Sequence, residues 1–167
     1  EVHTESGSIP IQMGTRLPII DESADGWHVQ VPRRNEDGDL ILDEATAPRG
    51  DDHFVWGGLP LTLCNVFTQA FKLLGETYSW GGSRQGAFGR DCSRFIRDVY
   101  ASAGLLLPRN GNQQAEVCYP QVEFAEGQPD EARKRAIVAH VSPGAILAMP
   151  GHVMLYLGHV DGEPFAI

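Results

Sequence analysis

At 167 residues the chain is long enough for one core of about 100 residues plus a smaller module. Its 22 Asp and Glu against 13 Lys and Arg give a net charge of -9, and with no basic cluster this argues against nucleic-acid and anionic-membrane partners. A composition 42% hydrophobic and 8% aromatic fits a globular protein, and no apolar run approaches the ~20 residues needed to span a bilayer.

From Ile9 to Leu42, short apolar runs alternate with turn signals at Met13-Gly14, Asp21 to Gly26 and Asn35 to Gly38. This predicts strands over Leu17 to Ile20 and Trp27 to Val31, with Trp27 suited to the core of a small barrel. Turn formers and charge from Ala45 to Asp52 read as a linker, and Phe54 to Gly58 as a hairpin or extended arm. A helix follows through Val66, Phe67, Ala70, Phe71 and Leu74, with Cys64 on its apolar face. The glycine-rich stretch Gly81 to Gly89 allows close backbone approach, but lacks the Gly-Lys-Ser/Thr ending of a phosphate loop.

Phe95, Ile96, Val99, Tyr100 and Ala103 recur at helical intervals and Gly104 stands where a C-terminal cap belongs, so Cys92 sits at a helix start, at the rim of the buried face. Phe124 to Asp130 is loop-like, and Glu131 to Ala139 predicts a short helix on which Arg133, Lys134 and Arg135 form a solvated face. After the break at Ser142-Pro143-Gly144, Ala145 to Met149 and His152 to Leu157 read as strands joined by a turn at Pro150-Gly151. His152, Met154 and Tyr156 then share one face, and a turn from Gly158 to Glu163 leads into Pro164 to Ile167. The three cysteines, 64, 92 and 118, are an odd number with no disulfide or zinc spacing. Cys118 is incidental by this reading, and His53 and His140 default to structural or exposed roles.

Taken singly, Cys92 fits a small buried hydrophobe and His152 a structural histidine. Together they read differently. A helix N-terminus favours a thiolate and a neighbouring imidazole can shuttle its proton, which is the pattern of a cysteine nucleophile.

Tyr78-Ser79-Trp80-Gly81-Gly82, then Asp91-Cys92-Ser93, then Leu107-Pro108-Arg109-Asn110 with Gln113 or Gln114, then Gly151-His152-Val153 with Tyr156-Leu157-Gly158, resemble in order and spacing the NlpC/P60-type papain-like peptidases. The resemblance runs from about Leu61 to the last residue, and Gln69 to Gly75 resembles the branch that carries bacterial SH3-like (SH3b) domains upstream. It implies an α+β fold: a papain-like catalytic domain over 61–167, a linker over 51–60, and over 1–50 a small all-β SH3b-like barrel, to which the strand pattern around Trp27 is similar. It implies a γ-D-glutamyl-L-diamino acid endopeptidase acting on peptidoglycan stem peptides, with no metal or organic cofactor.

Residue by residue, the resemblance makes Cys92 the nucleophile and His152 the general base. The Cys92 N–H and the Tyr78 hydroxyl would face the oxyanion, although a packed aromatic is an equal reading of Tyr78. Asp91 and Ser93 would hold polar groups of the peptide stem, with Trp80 and Arg109 also among the substrate contacts. Arg94 and Gly111 depart from the family pattern, which usually has a small residue and a serine or threonine there. The residue that orients the histidine would fall just past Ile167, and His159, the nearby candidate, would point to the face opposite His152. Both ends therefore read as cut, and the absence of a signal peptide before Glu1 says nothing about export. The resemblance places such a protein in the bacterial cell envelope, periplasmic or extracellular, ahead of the cytoplasm. A catalytically impaired cell-wall binding protein and an acyl- or peptidyl-transferase on the same scaffold stay open as alternatives.

Overall fold

The computed structural model describes residues 1–4, 7–50, 53–82 and 89–167. Asp51 and Asp52 of the predicted linker, and most of the glycine-rich stretch between Gly81 and Gly89, lie outside the described residues. The chain forms two compact units, Glu1–Gly58 and Leu59–Ile167.

In the first unit, strands β1 (Val2–Thr4), β2 (Gly7–Ile9), β3 (Ile19–Glu22), β4 (Gly26–Arg34) and β5 (Leu40–Pro48) form an antiparallel sheet in the order β2-β1-β5-β4-β3. Alternation along β4 and β5 explains its core. Val29 and Val31 face inward from β4, Ala45 and Ala47 from β5, and the register sets Trp27 opposite Ala47 and Val29 opposite Ala45, so large side chains meet small ones. Trp27 packs against this core, as expected, with the Arg49 guanidinium 5.7 Å above its ring. Gly26 is required at its place: with φ +156°, a Cβ there would lie 2.3 Å from the Ala47 carbonyl oxygen. Ala45 to Pro48, expected to open a linker, instead extend β5, because the two alanines are buried against β4. Among the described residues β2 and β3 remain the sheet's two edges, so the pairing does not close a barrel.

The second unit contains α1 (Leu63–Lys72), α2 (Cys92–Ser102), α3 (Gly111–Val117) and α4 (Asp130–His140), then an antiparallel sheet of β6 (Ile146–Met149), β7 (His152–Val160) and β8 (Glu163–Ala166) with β7 in the middle. The mixed α and β content expected of this half is present. Helix α2 packs against β7 and α1, with Ile96 and Val99 fully buried on its inner face and Val153, Leu155 and Tyr156 buried on β7. Each such aliphatic contributes about 1.5–3 kcal/mol of burial. The Tyr100 hydroxyl donates to the Gly144 carbonyl, fastening α2 to the entry of β6.

Three sequence expectations change. Strand β7 does not stop before Gly158: it runs to Val160, and Asp161-Gly162, both at positive φ, make a two-residue hairpin to Glu163. Helix α3 was not anticipated. Cys64 is exposed, because the buried face of α1 runs through Val66, Gln69, Ala70 and Leu73, and Phe71 and Leu74 also point outward. Leu155→Ala should therefore lower the unfolding free energy by about 3 kcal/mol in a urea titration, whereas Cys64→Ala should stay within about 0.5 kcal/mol of the parent.

Candidate active site

The segment ahead of α2 is clamped to the helix by backbone pairing. Tyr78 bridges Arg90 in parallel fashion, with Ser79 N–H donating to the Arg90 carbonyl at 3.1 Å and Arg90 N–H to the Thr77 carbonyl at 3.3 Å. A turn then closes with Gly82 N–H on the Ser79 carbonyl, with Gly81 at positive φ in its third position, where a glycine carries no steric cost. Arg90 is itself held by Asp98 at 2.8 Å and by Glu76. Arg94, the departure from the family pattern, pairs with the same Asp98 one turn along α2 at 3.5 Å.

Asp91 is the N-cap of α2, and its carboxylate accepts five hydrogen bonds. Arg94 N–H donates at 2.8 Å, Gly81 N–H at 3.1 Å and Ser93 Oγ at 3.1 Å, while Arg109 grips both oxygens at 3.0 and 2.5 Å. Burial alone would push this carboxyl upward, but the bonds from Arg109, Arg94 and Ser93, with the Arg109 charge, outweigh it and hold it below the usual carboxylate range. Arg109 also donates to Ser93 Oγ at 2.8 Å, so the residues on either side of Cys92 share one guanidinium.

Cys92 occupies the first helical position, where backbone N–H groups have no intrahelical acceptor, and its side chain is half-buried. Across a cleft of ≈ 490 Å³ lined by Cys92, the exposed His152 opens β7. Trp80, Asp91, Ser93 and Arg109 line the same cleft, with Trp80 80% exposed. Tyr78 does not line it, but lies near enough that its hydroxyl is raised, by desolvation first and then by the charges of Cys92 and Asp91. The phenol therefore stays protonated and able to donate through the neutral range. Among the described residues, no cluster of His, Cys, Asp or Glu could hold a metal ion.

Gly111, the second departure, starts α3 where a Cβ would lie 3.2 Å from Val153 and 3.8 Å from Ser93. Its small size lets α3 approach the strand residue next to His152. Gln114 is the buried member of the glutamine pair: fully enclosed, it donates through Nε2 to the Ser93 and Pro108 carbonyls, both at 2.8 Å. The expectation for His159 is overturned. A bulge between Tyr156 and Gly158 shifts the strand by one residue, so His159, opposite Pro164, falls on the face of Tyr156 and His152. Seven residues of strand still separate the two imidazoles by roughly 23 Å, too far for His159 to orient His152.

Asp91→Asn keeps the volume but leaves Arg109 without a counter-charge, and should cost about 2 kcal/mol at pH 7. Because the folded-state carboxyl lies below its unfolded value, the parent's advantage is complete above about pH 4 and vanishes as pH falls through the folded-state value. Thermal unfolding of both proteins at pH 7 and pH 2.5 checks this: the gap in Tm should narrow in acid.

The sequence profile described as the NlpC/P60 family matches residues 75–162. The chain is similar to a gamma-D-glutamyl-L-lysine dipeptidyl-peptidase of Bacillus cereus, 28% identical over 65% of this chain and 30% of that protein. It is also similar to a probable endopeptidase p60 of Listeria seeligeri, 40% identical over 40% of this chain and 12% of that protein. A crystal structure of an NlpC/P60 family protein from Bacillus cereus aligns with a TM-score of 0.55 and 20% identity over 92% of this chain and 48% of that one, a likeness of fold. The chain thus spans less than half the length of each of these relatives. With more than half of its residues inside the matched profile, the chain belongs to the NlpC/P60 family.

Proposed function

We propose that this protein is a cysteine endopeptidase that hydrolyses the γ-D-glutamyl–diamino acid bond of peptidoglycan stem peptides through a thioester. One observation carries the reading: Cys92, at the first position of α2, and His152, at the first position of β7, line one cleft. The helix terminus favours the thiolate electrostatically, and the Cys92 N–H, which has no intrahelical acceptor, is assigned as a donor to the oxygen that gains charge. The Cys92 thiol gives its proton to His152, and the thiolate attacks the scissile carbonyl, forming the C–S bond as the carbonyl π bond opens to the oxyanion. The tetrahedral intermediate collapses with His152 passing its proton to the leaving amine of the diamino acid. Water, deprotonated by His152, then attacks the thioester, freeing the γ-D-glutamyl carboxylate and restoring the thiol.

Tyr78, with its phenol kept neutral, is assigned as a second oxyanion donor, and Trp80 as an exposed apolar wall for the stem peptide. Asp91, Ser93 and Arg109 form the polar wall, already joined to each other before substrate enters. The group that orients His152 is assigned to the β8 side. Ile167 pairs with Leu155 in both hydrogen-bonding directions, so a residue following it would stand beside Met154, on the face of His152. The five-stranded first unit, with Trp27 packed on its core, is assigned as an SH3b-like module, and the bacterial cell envelope as the place of action. The relatives' names, a gamma-D-glutamyl-L-lysine dipeptidyl-peptidase and an endopeptidase, support the bond and the reaction class.

Incubation with the tripeptide L-Ala-γ-D-Glu-diamino acid, followed by mass spectrometry, tests the proposal. Release of the diamino acid is expected, reduced at least about 10³-fold in both Cys92→Ala and His152→Ala. Absence of release by this chain and by one extended beyond Ile167 would leave the wall-binding alternative.

A further inference from the structure

We infer that Gln114 is a positioning residue for the Cys92 thiol, acting through the backbone that follows it; this rests on the reading of Cys92 as nucleophile. Gln114 is 0% exposed, on a helix of only seven residues that buries no other side chain. Its Nε2 donates to the Ser93 carbonyl, adjacent to Cys92, and to the Pro108 carbonyl, adjacent to Arg109, both at 2.8 Å. Arg109 in turn grips Asp91, on the other side of Cys92, and Ser93 Oγ. One buried amide therefore fixes the spacing between the first turn of α2 and the loop whose guanidinium holds that turn from the opposite side.

The amide is there for its donors. Gln114 Oε1 is buried with no hydrogen-bond partner among the described residues, an arrangement that opposes folding and that an apolar side chain of the same length would avoid. A purely structural filler at this position would be apolar. A side chain that accepts the penalty on its oxygen to place two N–H groups on two particular carbonyls is specifying geometry. Nearby packing gives that geometry consequence: Gly111, one turn earlier on α3, rests against Val153 beside His152, and α3 also lies against β6, the strand paired to β7. The short helix thus touches both the helix that carries the thiol and the sheet that carries the imidazole, beside the direct packing of α2 on β7.

Gln114→Met keeps length and volume and removes both donors. Its test is the rate of iodoacetamide alkylation at each cysteine, read by peptide-level mass spectrometry at pH 6 to 8, together with kcat and KM on the tripeptide. Cys64, exposed on α1, reports reagent reactivity, and the half-buried Cys118, at the end of α3, reports any opening of the fold. The expected result is alkylation of Cys92 slowed about tenfold relative to Cys64 with Cys118 unchanged, and kcat lowered roughly 10- to 100-fold with KM within about threefold. Unchanged Cys92 reactivity and kcat in a variant whose Cys118 stays protected would overturn the inference. Faster Cys118 alkylation in both Gln114→Met and Gln114→Leu would also overturn it, reducing Gln114 to a packing role. If Cys92→Ala keeps full activity, the peptidase reading fails instead, and the Cys92 alkylation rates, which need no substrate, still decide the positioning role.

Discussion

The geometry of the cleft depends on the ion pair between Asp91 and Arg109. Asp91 caps the helix that begins with Cys92, and its carboxylate gathers the Gly81 N–H, the Arg94 N–H, the Ser93 hydroxyl and the Arg109 fork. Three segments distant in sequence, the glycine turn, the helix start and the loop before α3, are joined on two oxygen atoms. A carboxylate with five donors is held charged, and a charged acceptor at a helix N-terminus is favoured by the partial positive charge there. Exposure of Arg109 tempers the Coulombic gain, so the pair's main contribution is geometric: it fixes where the first residue of α2 can be.

The other half of the cleft is set by hydrophobic burial. Val153 and Leu155 are enclosed on one face of β7, which is the middle strand of its sheet, and register with β6 fixes Met149 opposite His152. A one-residue slip would turn those apolar side chains outward, so the imidazole's position follows from the strand's packing. Thiol and imidazole therefore reach one cleft by two different physical routes, a polar hub on α2 and an apolar register on β7. Gln114 and Gly111 are where the two routes touch.

Much of this was legible in the sequence. The helical spacing from Phe95 to Val99 and the short strand opening at His152 placed Cys92 at a helix start and His152 at a strand start, whereas Asp91, read only as a substrate contact, turned out to be the N-cap of that helix. What escaped was non-local or too short to show a period. Arg109 lies 18 positions from Asp91, and no local pattern reports such a pairing. Helix α3 has no apolar stripe because its buried side chain is a glutamine. The end of β7 was misplaced because a glycine inside a strand can mark a bulge as well as a turn, and the Asp161-Gly162 hairpin signal begins three residues after Gly158. Cys64 was misread because α1 carries more apolar residues than its buried face uses, which left two possible stripes.

The central claim is that Cys92 forms a covalent bond to the substrate. Its most direct measurement is acid quenching during turnover of the tripeptide, followed by proteolysis and mass spectrometry of the peptide containing Cys92. The prediction is an added L-Ala-γ-D-Glu acyl group on Cys92 that accumulates before product and disappears in Cys92→Ala. Product formation that persists undiminished in Cys92→Ala, with no adduct on Cys92 in the parent, would contradict it.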